Sequence, residues 1–565
     1  MCVSVRFGAI AHDLVRFGAF WYDLVRFCTI PYVLDPARPQ QARRNGDAGN
    51  VKDQVMAYYL GIDIGTSSTK ALVTSARLRV LSSATVEHPT ETPGPLWSQQ
   101  HPSDWWASTI KAVRKAVAKA KINGKDISAI GLSGQMHALV VTDATGQPLR
   151  PAIIWNDQRS AKQAAQVEAA VGGTKKLIAL VGSPAMTSYT LTKLLWVRQN
   201  EPKVYDRIKH MLLPKDYIRL RLTGEYIGDV SDMSGTLLLD QVKRDWSRKM
   251  TDLFQIDRDI LPPVVESHEV TGRLRPDAAG KLGLQEGTPV VAGAGDQLAG
   301  AVGNGIVSAG LVSATMGTSG VVLMHSRRYK TDPQAKVNTF CAAVAGEYCM
   351  FGCVLSAGGS LRWFRNVLAA AETASSKRRK VDTYEMLDTL AAKAPAGCEG
   401  LFWLPYLTGE RTPHADPMAK ACWIGIHAGT DKSMLIRSVI EGATFAMKDV
   451  LTLMAKSSPK VRNVRLSGGG ARSSFWRQLQ ADIYGVTCTT MNTDEGPGYG
   501  AALLSAVGTG RFGSVREACT ATIRVARTVR PRPAQRRLYQ KYYDEYRRLY
   551  PALKQHFAII SELVG

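Results

Sequence analysis

The sequence predicts an α/β protein built from two related lobes, and three observations support that prediction. Its 565 residues exceed the size of one ordinary hydrophobic core, so two or more domains are expected. Hydrophobic residues make up 45% and charged residues 21%, the balance of a globular chain rather than of a disordered or collagen-like one. A strand–turn–strand pattern with Gly-Thr-Ser in its turn begins at Gly65 and again at Gly317, 252 residues later, which indicates a duplicated unit.

Composition and charge argue against several other classes of protein. Nine cysteines are sparse, irregularly spaced and odd in number, which favours a reducing, cytoplasmic location over a disulfide scaffold. No apolar run reaches the roughly 18–20 residues that cross a bilayer, so no membrane association is expected. The net charge of +23 would suit a nucleic-acid binder, but no zinc-finger, RNP-type or basic-zipper pattern accompanies it. We therefore interpret the charge as a basic, solvated surface that favours anionic substrates, and we expect no nucleic-acid partner.

The first fifty-five residues differ from the rest of the chain. Val5-Arg6-Phe7, Val15-Arg16-Phe17 and Val25-Arg26-Phe27 recur every ten residues, a period that fits no common repeat unit. The composition then turns to Pro, Arg, Gln, Gly and Asn over residues 34–53, as in a disordered linker. We expect the working protein to begin near Met56, with residues 1–55 as a disordered extension or a mis-assigned start.

The first Gly-Thr-Ser turn is predicted to bind phosphate. Tyr58–Ile64 is a β-branched and aromatic run, hence a strand, and Ala71–Val73 returns from the turn. Gly65-Thr66-Ser67 would bring backbone N–H groups and hydroxyls to one point, which suits a phosphate, although an ordinary structural hairpin is the alternative. Asp63 at the strand end would repel a phosphate unless a cation lay between them, so it indicates Mg²⁺.

Two further glycine-rich turns extend this chemistry into the second half. Gly317-Thr318-Ser319 again joins two strands, and Gly468-Gly469-Gly470-Ala471 follows a strand and precedes a helix. The latter arrangement brings bare backbone and a positive helix end to a ligand. Two such hairpins, one in each half, indicate lobes that face a shared nucleotide and close on it about a hinge. Neither a P-loop nor a dinucleotide-binding fingerprint is present.

Asp296 is the candidate catalytic base. It follows the short strand Thr288–Ala292 and a Gly-Ala-Gly turn, which places it where ligands meet the strand ends of open α/β sheets. A carboxylate there can orient and deprotonate a substrate hydroxyl that attacks a γ-phosphoryl group. Capping of the following helix is the alternative for this residue.

Two polar clusters in the first half are candidates for binding a polyhydroxylated ligand. Gln135-Met136-His137 and Trp155-Asn156-Asp157 each follow an apolar strand, and together they supply short donors and acceptors plus an apolar plate. A lone histidine is usually structural, but the position of His137 beside Gln135 at a strand end favours a functional role. The loop Glu410–His414 is ambiguous: we expect it at a lobe interface, where it could touch the site.

These motifs, in this order, resemble the FGGY carbohydrate kinases. The resemblance covers about four-fifths of the chain and rests on ten stretches: Gly61-Ile62-Asp63-Ile64-Gly65-Thr66-Ser67, Gly134-Gln135-Met136-His137, Trp155-Asn156-Asp157, Leu213-Pro214-Lys215-Asp216-Tyr217, Thr223-Gly224-Glu225, Ser231-Asp232, Gly293-Ala294-Gly295-Asp296, Met316-Gly317-Thr318-Ser319-Gly320, Thr408-Gly409-Glu410-Arg411-Thr412-Pro413 and Gly468-Gly469-Gly470-Ala471-Arg472. Within the family, the Gln-Met-His cluster points to the members that phosphorylate D-xylulose rather than glycerol or ribulose.

The resemblance implies an actin-like (ribonuclease H-like) ATPase fold, with duplicated mixed-sheet domains, a hinge and a central cleft. Residues 56–302 would form the sugar-binding lobe, 303–530 the nucleotide-binding lobe and 531–565 a basic C-terminal helical segment. The implied reaction transfers the γ-phosphate of ATP to O5 of D-xylulose with Mg²⁺, and the family often forms homodimers.

By the same resemblance, Asp296 is the base, Met136 and His137 contact the sugar, and Asp63 helps to hold Mg²⁺. The two Gly-Thr-Ser turns face phosphates, and Gly469-Gly470 lie along the adenosine. Gln297 stands where many relatives carry Asn, and it is a further candidate for contact with the sugar. Two other interpretations stay open: the same fold acting on another ketose or a polyol, and a nucleotide-driven regulatory protein without phosphoryl transfer. Asp296 disfavours the second, because a switch needs no base aimed at a hydroxyl.

Overall fold

The structure is a computed structural model, and it describes residues 57–457, 461 and 463–564. The predicted start at Met56 and the ten-residue repeats upstream of it lie outside the described residues. Within the described ranges, no helix is both long enough and apolar enough to cross a bilayer.

The first half of the described chain contains fifteen strands and ten α-helices. The strands are β1 (Tyr58–Ile64), β2 (Ser68–Ser75), β3 (Val80–Glu87), β4 (Gln99–Gln100), β5 (Ile127–Gly134), β6 (Val140–Thr142), β7 (Ala152–Ile153), β8 (His210–Leu212), β9 (Gly228–Asp229), β10 (Leu239–Asp240), β11 (Asp245–Trp246), β12 (Val264–Val265), β13 (Val270–Arg273), β14 (Pro289–Val291) and β15 (Ala294–Gly295). The helices are α1 (Pro102–Ala120), α2 (Ala161–Val171), α3 (Thr174–Val181), α4 (Thr190–Asn200), α5 (Pro202–Tyr205), α6 (Pro214–Thr223), α7 (Val230–Met233), α8 (Arg248–Leu253), α9 (Pro276–Leu282) and α10 (Asp296–Gly303). Short 3₁₀ helices lie at Gly124–Asp126, Ser234–Thr236 and Arg258–Ile260.

The second half of the described chain contains nine further strands and nine α-helices. The strands are β16 (Leu311–Met316), β17 (Gly320–Ser326), β18 (Asn338–Cys341), β19 (Tyr348–Val354), β20 (Phe402–Leu404), β21 (Cys422–Ile424), β22 (Asn463–Gly468), β23 (Cys488–Met491) and β24 (Val525–Val529). The helices are α11 (Ala357–Leu368), α12 (Ala370–Arg379), α13 (Thr383–Ala391), α14 (Lys432–Ser457), α15 (Gly469–Arg472), α16 (Ser474–Tyr484), α17 (Gly496–Gly508), α18 (Val515–Thr522) and α19 (Pro533–Val564), and a 3₁₀ helix spans Cys398–Gly400.

Two seven-stranded mixed sheets organise these elements, and they share one pattern. The first has the order β13-β14-β5-β1-β2-β3, with β15 also pairing with β5, and the second has the order β18-β19-β17-β16-β22-β23-β24. In each sheet the strand before the Gly-Thr-Ser turn pairs antiparallel with the strand after it and parallel with a later strand: β1 with β2 and β5, β16 with β17 and β22. The prediction of duplicated mixed-sheet domains is therefore confirmed.

Helix α17 packs onto the first sheet through small residues, although it belongs to the second half of the sequence. It contacts β1, β5 and α10. A Cβ atom built on Gly61 of β1 would lie 2.0 Å from the carbonyl oxygen of Gly498, and one on Gly131 of β5 would lie 1.9 Å from that of Ala501. The sheet and the helix can come this close only because these strand positions carry no side chain.

The C-terminal helix α19 is part of the second lobe's core. Tyr539, Tyr543 and Tyr546 are buried, and their rings pack against Phe445 of α14. The predicted helical segment thus folds against its neighbours through tyrosines, and Arg532 adds an ion pair of 2.7 Å with the buried Asp482. The domain boundaries predicted at 302/303 and 530/531 stay predictions.

A side chain added at the contact between β5 and α17 tests this packing. Gly131→Ala places a methyl group against the Ala501 carbonyl oxygen, and overpacking of this kind costs about 1–3 kcal/mol. We expect a lower thermal unfolding temperature, measured by circular dichroism. Gly280→Ala in α9 is the control, since nothing lies within 4 Å of its Cβ. Equal unfolding temperatures for the two variants would contradict the proposed close packing.

Candidate active site

Asp63 and Asp296 lie at the same edge of the first sheet. Asp63 in β1 is paired with Ser133 of β5, and Ser133 is paired on its other side with Ala294 of β15, which leads into Asp296. Burial raises the pKa of Asp296 to about 7, and the nearby charge of Asp63 adds to this rise. Burial also raises the pKa of Asp63 to about 6, while Ser133 and Lys70 oppose the rise. The two carboxyl groups therefore form one partly buried acidic pair.

Asp296 occupies the first turn of α10 rather than its capping position. Gly295 is the N-cap residue, so the structure does not bear out the alternative in which Asp296 caps the helix. Gln297 lies beside the candidate base, and its Nε2 donates a hydrogen bond of 3.4 Å to Asp296 Oδ1. The side chain of Asp296 is thus not used to cap the helix, and its role as the base stays a prediction.

A buried ionic network supports the segment that carries Asp296. Lys215 Nζ lies 2.6 Å from Asp216 Oδ1 and 2.7 Å from Asp229 Oδ1, and all three side chains are fully buried. Arg219 Nη2 lies 2.5 Å from Asp216 Oδ1, and its Nη1 donates a hydrogen bond of 3.0 Å to the carbonyl oxygen of Ala292. The network therefore fixes the backbone four residues before the base.

A second arm of this network reaches Gly295. Ser231 Oγ donates to Asp229 Oδ2 at 2.6 Å and accepts a hydrogen bond of 3.4 Å from the N–H group of Gly295. Asp232 lies beside the same glycine, and burial raises its pKa well above the usual range. Buried charges are costly unless they are paired, so this much ionic structure beneath one loop indicates a demand for exact placement of that loop.

His137 presents a neutral imidazole with one free nitrogen. Its Nδ1 lies 3.1 Å from the carbonyl oxygen of Gly235, and since a carbonyl can only accept, Nδ1 carries the proton. Burial lowers the pKa of His137 to about 3, with smaller contributions from Lys193 and Arg411. Nε2 therefore keeps its lone pair, and it makes no hydrogen bond to a described residue, so it can accept one from a ligand hydroxyl.

The loop that carries His137 is held in an unusual conformation. His137 has a φ of +70°, and Lys193 Nζ donates a hydrogen bond of 2.8 Å to its carbonyl oxygen. The ring packs edge-on against Tyr189 and Phe340, the latter from the second sheet. Met136, the preceding residue, packs against Gly295. Of the two residues predicted to contact the sugar, Met136 thus lies against the residue before the candidate base, and His137 follows it in the chain.

The other predicted ligand-binding residues of the first half surround the first turn. Gln135 Nε2 donates to Gln100 Oε1 at 2.8 Å, and Gln100 in turn donates to the carbonyl oxygen of Thr66 at 2.6 Å. Trp155 Nε1 donates to Thr66 Oγ1 at 2.9 Å, and Asn156 is exposed next to it. These contacts bring the two polar clusters to the first Gly-Thr-Ser turn, but they engage the donors of Gln135 and Trp155 within the protein, and their contact with a sugar stays a prediction.

Asp157 differs from its two neighbours. It is fully buried, its carboxylate forms an ion pair with Arg159 at 2.8 Å, and it accepts a hydrogen bond of 2.5 Å from the Ser98 N–H group. The structure gives this residue a role in holding its own loop, and contact with a sugar stays a prediction.

The two Gly-Thr-Ser turns are each closed by the N–H group of their glycine, which bonds three residues ahead in the first turn and two residues ahead in the second. The N–H group of Gly65 donates to Ser68 O and that of Gly317 donates to Ser319 O, both at 2.9 Å. The N–H groups of the Thr-Ser pair in each turn, Thr66-Ser67 and Thr318-Ser319, make no hydrogen bond to a described residue. Each turn therefore offers two unused backbone donors, which is what a phosphate-binding nest requires.

The third glycine cluster lies beside the second turn. Gly468 is paired with Met316, the residue before Gly317, and has a φ of +78° that favours glycine. A cavity of about 310 Å³ borders this cluster at the carboxyl ends of β22 and β23. It is lined by Gly468, Ala471, Arg472 and Asp494 among others. Such strand ends are where open α/β sheets bind ligands.

Family models assign both halves of this architecture. Residues 58–303 match the N-terminal domain of the FGGY family of carbohydrate kinases, and residues 312–509 match its C-terminal domain. The chain belongs to the FGGY family of carbohydrate kinases. The family resemblance predicted from the motifs is thereby confirmed.

Individual relatives agree with this family assignment over most of their length. A xylulose kinase of Bacillus subtilis is 36% identical over 499 residues, which is 88% of this chain and 98% of that protein. A ligand-bound xylulose kinase from Lactobacillus acidophilus superimposes with a TM-score of 0.83 at 26% identity, over 89% of this chain and all of that one. A gluconate kinase from the same organism gives the same TM-score, identity and coverage of both chains.

Several residues of this FGGY kinase site were not assigned a role from sequence. Lys215 and Arg219 belong to the network that fixes the segment before the candidate base, and Lys193 holds the loop of His137. Of the three, only Lys215 lies in a stretch that resembles the family, and it was given no role there. A signal was present only for Lys193, a charged residue next to the apolar run Leu194-Leu195-Trp196-Val197, where an unpaired charge is not tolerated. What the sequence could not give was the partner of each charge.

The raised pKa of Asp296 has a consequence for stability. Because the folded-state pKa lies near 7 and an unfolded aspartate titrates near 4, this carboxyl favours the folded state at low pH and loses that contribution as pH rises through about 7. Asp296→Asn removes the buried charge. We expect it to raise the unfolding temperature by a few degrees at pH 8 and to leave it unchanged at pH 4.

Differential scanning calorimetry at both pH values measures this effect. Asp126→Asn, which removes an exposed carboxylate, is the control and should have no pH-dependent effect. A shift for Asp296→Asn that is equal at pH 4 and pH 8 would show that the carboxyl is not buried as a charge.

Proposed function

We propose that this kinase transfers the γ-phosphoryl group of ATP to O5 of D-xylulose, giving D-xylulose 5-phosphate and ADP. The observation that carries the proposal is the convergence of Asp296, Met136 and His137 at one strand edge, with a Gly-Thr-Ser turn beside them. FGGY family membership supplies the reaction class, with ATP as co-substrate. The similarity to xylulose kinases over 88% of the chain favours D-xylulose as the sugar.

In this mechanism Asp296 takes the proton from O5 as the oxygen attacks phosphorus. A pKa near 7 suits a base that works near neutral pH, because it is ionised there yet still accepts a proton. His137 Nε2 accepts a hydrogen bond from another sugar hydroxyl and fixes the orientation of the sugar. The free N–H groups of both Gly-Thr-Ser turns bind phosphate oxygens and stabilise negative charge on the group in transfer. The adenosine lies along Gly469-Gly470 beside the cavity at Gly468.

Asp63 fits a role as the protein's ligand for Mg²⁺. Its Oδ1 is buried without a hydrogen-bond partner, and it lies one residue before the end of β1, where the first phosphate turn begins. No group of three or more acidic, histidine or cysteine side chains in the described ranges could hold a metal by itself. This is the pattern expected of Mg²⁺, which is bound by one or two carboxylates plus substrate phosphates. When bound, the ion would offset phosphate charge and the repulsion between the two carboxylates.

Two further parts of the proposal concern the setting of the enzyme. The seven cysteines in the described ranges are all unpaired, which favours the reducing cytoplasm as its location. A homodimer, implied by the family resemblance, stays a prediction.

A substrate panel tests the proposed sugar. ADP release is measured with D-xylulose, L-ribulose, glycerol and D-gluconate, the last because a gluconate kinase is among the structural neighbours. We expect the highest kcat/KM for D-xylulose. Asp296→Asn should lose at least about 10³-fold in kcat while it still binds ATP, because it removes the base without removing nucleotide contacts.

The outcomes of this panel separate the alternatives. A clear preference for another acceptor would reject D-xylulose, and near-normal turnover by Asp296→Asn would reject the role of the base. Nucleotide binding without phosphorylation of any acceptor would favour the regulatory interpretation.

The role of Asp63 predicts a changed metal requirement. Asp63→Asn should raise the Mg²⁺ concentration for half-maximal activity by about 10-fold or more, since Asn lacks the charge that binds the ion. EDTA should abolish turnover of the wild type, and added Mg²⁺ should restore it. Asp206→Asn, at an exposed site, is the matched control. An unchanged Mg²⁺ titration for Asp63→Asn would assign the metal to other groups.

A further inference from the structure

The loop that carries Arg411 is fixed beside the second phosphate turn. Gly320, the residue after that turn, is paired with Val354 at the end of β19. Thr412 is bonded to the adjacent residue of this strand: its N–H group donates to Cys353 O at 3.0 Å, and its Oγ1 accepts from the Cys353 N–H group at 3.2 Å. Arg411 is therefore next to a residue bonded to the end of β19, and that strand end is paired with Gly320, the residue that follows Ser319.

The charge of Arg411 acts on groups of the predicted sugar loop. Its positive charge contributes to lowering the pKa of His137, after burial and Lys193, and it opposes the rise that burial gives to the pKa of Tyr189, which reaches about 12. It also opposes the rise in the pKa of Cys353 that burial causes. The guanidinium group thus lies within electrostatic reach of both the predicted sugar loop and the strand end at the phosphate turn.

This guanidinium group has no partner among the described residues. It forms neither a hydrogen bond nor an ion pair with any of them, although it is only partly exposed. The adjacent carboxyl group of Glu410 is directed elsewhere: its Oε1 accepts from the N–H groups of Leu355 at 3.0 Å and of Arg411 itself at 2.7 Å. Glu410 is also 2% exposed, and burial raises its pKa to about 8. The charge of Arg411 is therefore available to a ligand.

We infer that Arg411 is a further catalytic residue, which contacts the phosphoryl group as it passes from the nucleotide to the sugar. The assignment rests on the proposed function, since it requires an anion between Ser319 and His137. A guanidinium group matches this task because its planar donors bind phosphate oxygens in pairs and it stays charged at any working pH. Arg411 would supply from the second lobe the positive charge that complements Asp296 in the first.

Substitution of Arg411 tests this role by separating turnover from nucleotide binding. Arg411→Met should lower kcat by about 100-fold or more, the scale on which a positioned arginine acts in phosphoryl transfer. Affinity for ADP should stay within about twofold of wild type, because the side chain reaches beyond the nucleotide. Arg411→Lys should retain more activity than Arg411→Met, since it keeps the charge but loses the paired donors. Arg378→Met, at an exposed site in the same lobe, is the control for removal of a surface arginine.

A second measurement does not depend on the identity of the sugar. Binding of inorganic phosphate is followed by calorimetry in the presence of saturating ADP and Mg²⁺, where phosphate occupies the position of the transferred group. Wild type and Arg378→Met should bind it, and Arg411→Met should bind it at least about 10-fold more weakly. The turnover assay uses whichever acceptor the panel shows to be best, so a different sugar would contradict the proposed function and leave the test of Arg411 intact.

Either of two results would overturn the inference. One is a kcat for Arg411→Met within 10-fold of wild type together with unchanged phosphate binding. The other is a parallel fall in kcat, ADP affinity and unfolding temperature, which would show that Arg411 only supports its loop.

Discussion

The repulsion between two partly buried carboxyl groups, Asp63 and Asp296, is the constraint on which the rest of the site depends. Burial and the charge of Asp63 raise the pKa of Asp296 to about 7, so ionising both groups costs free energy that a nearby positive charge would offset. A base with a raised pKa and an unpaired carboxylate oxygen on its neighbour are a poor arrangement for stability. The same arrangement suits the proposed binding of Mg²⁺ with the phosphates, because a bound cation would offset the repulsion between the two carboxyl groups.

The need to place these two carboxyl groups also explains the ionic network around them. Lys215 and Arg219 carry two buried positive charges against the carboxylates of Asp216, Asp229 and Asp232, and hydrophobic residues of similar volume would often be at least as stable there. The network instead fixes the backbone of the segment that precedes Asp296: Arg219 donates to the carbonyl oxygen of Ala292, and Ser231 accepts from the N–H group of Gly295. The same logic applies to Lys193, which holds the carbonyl group of His137 rather than a carboxylate.

Sequence patterns predicted the parts of this molecule in which local chemistry is decisive. Both Gly-Thr-Ser hairpins, the position of Asp296 after a strand and the duplicated sheets follow from runs of apolar residues and from glycine positions, and the structure has them. Patterns could not show that Asp157 is buried and holds its own loop, because one of its partners, the N–H group of Ser98, comes from a distant part of the chain. They also left Arg411 ambiguous, because its availability depends on where the neighbouring Glu410 carboxyl points.

The packing of α17 explains how two separate sheets can build one site. Asp63, Asp296 and His137 come from the first sheet and its connections, while Ser319, Gly468 and Arg411 come from the second. Bare glycine backbone in β1 and β5 lets α17 contact the first sheet at its strands, so the chain that leaves the second sheet is anchored beneath the acidic pair. In the proposed site these groups would contact the bound nucleotide or sugar, so they need no direct bond to each other. Their relative position is instead set by this junction, where contact is close and there is no room for a side chain.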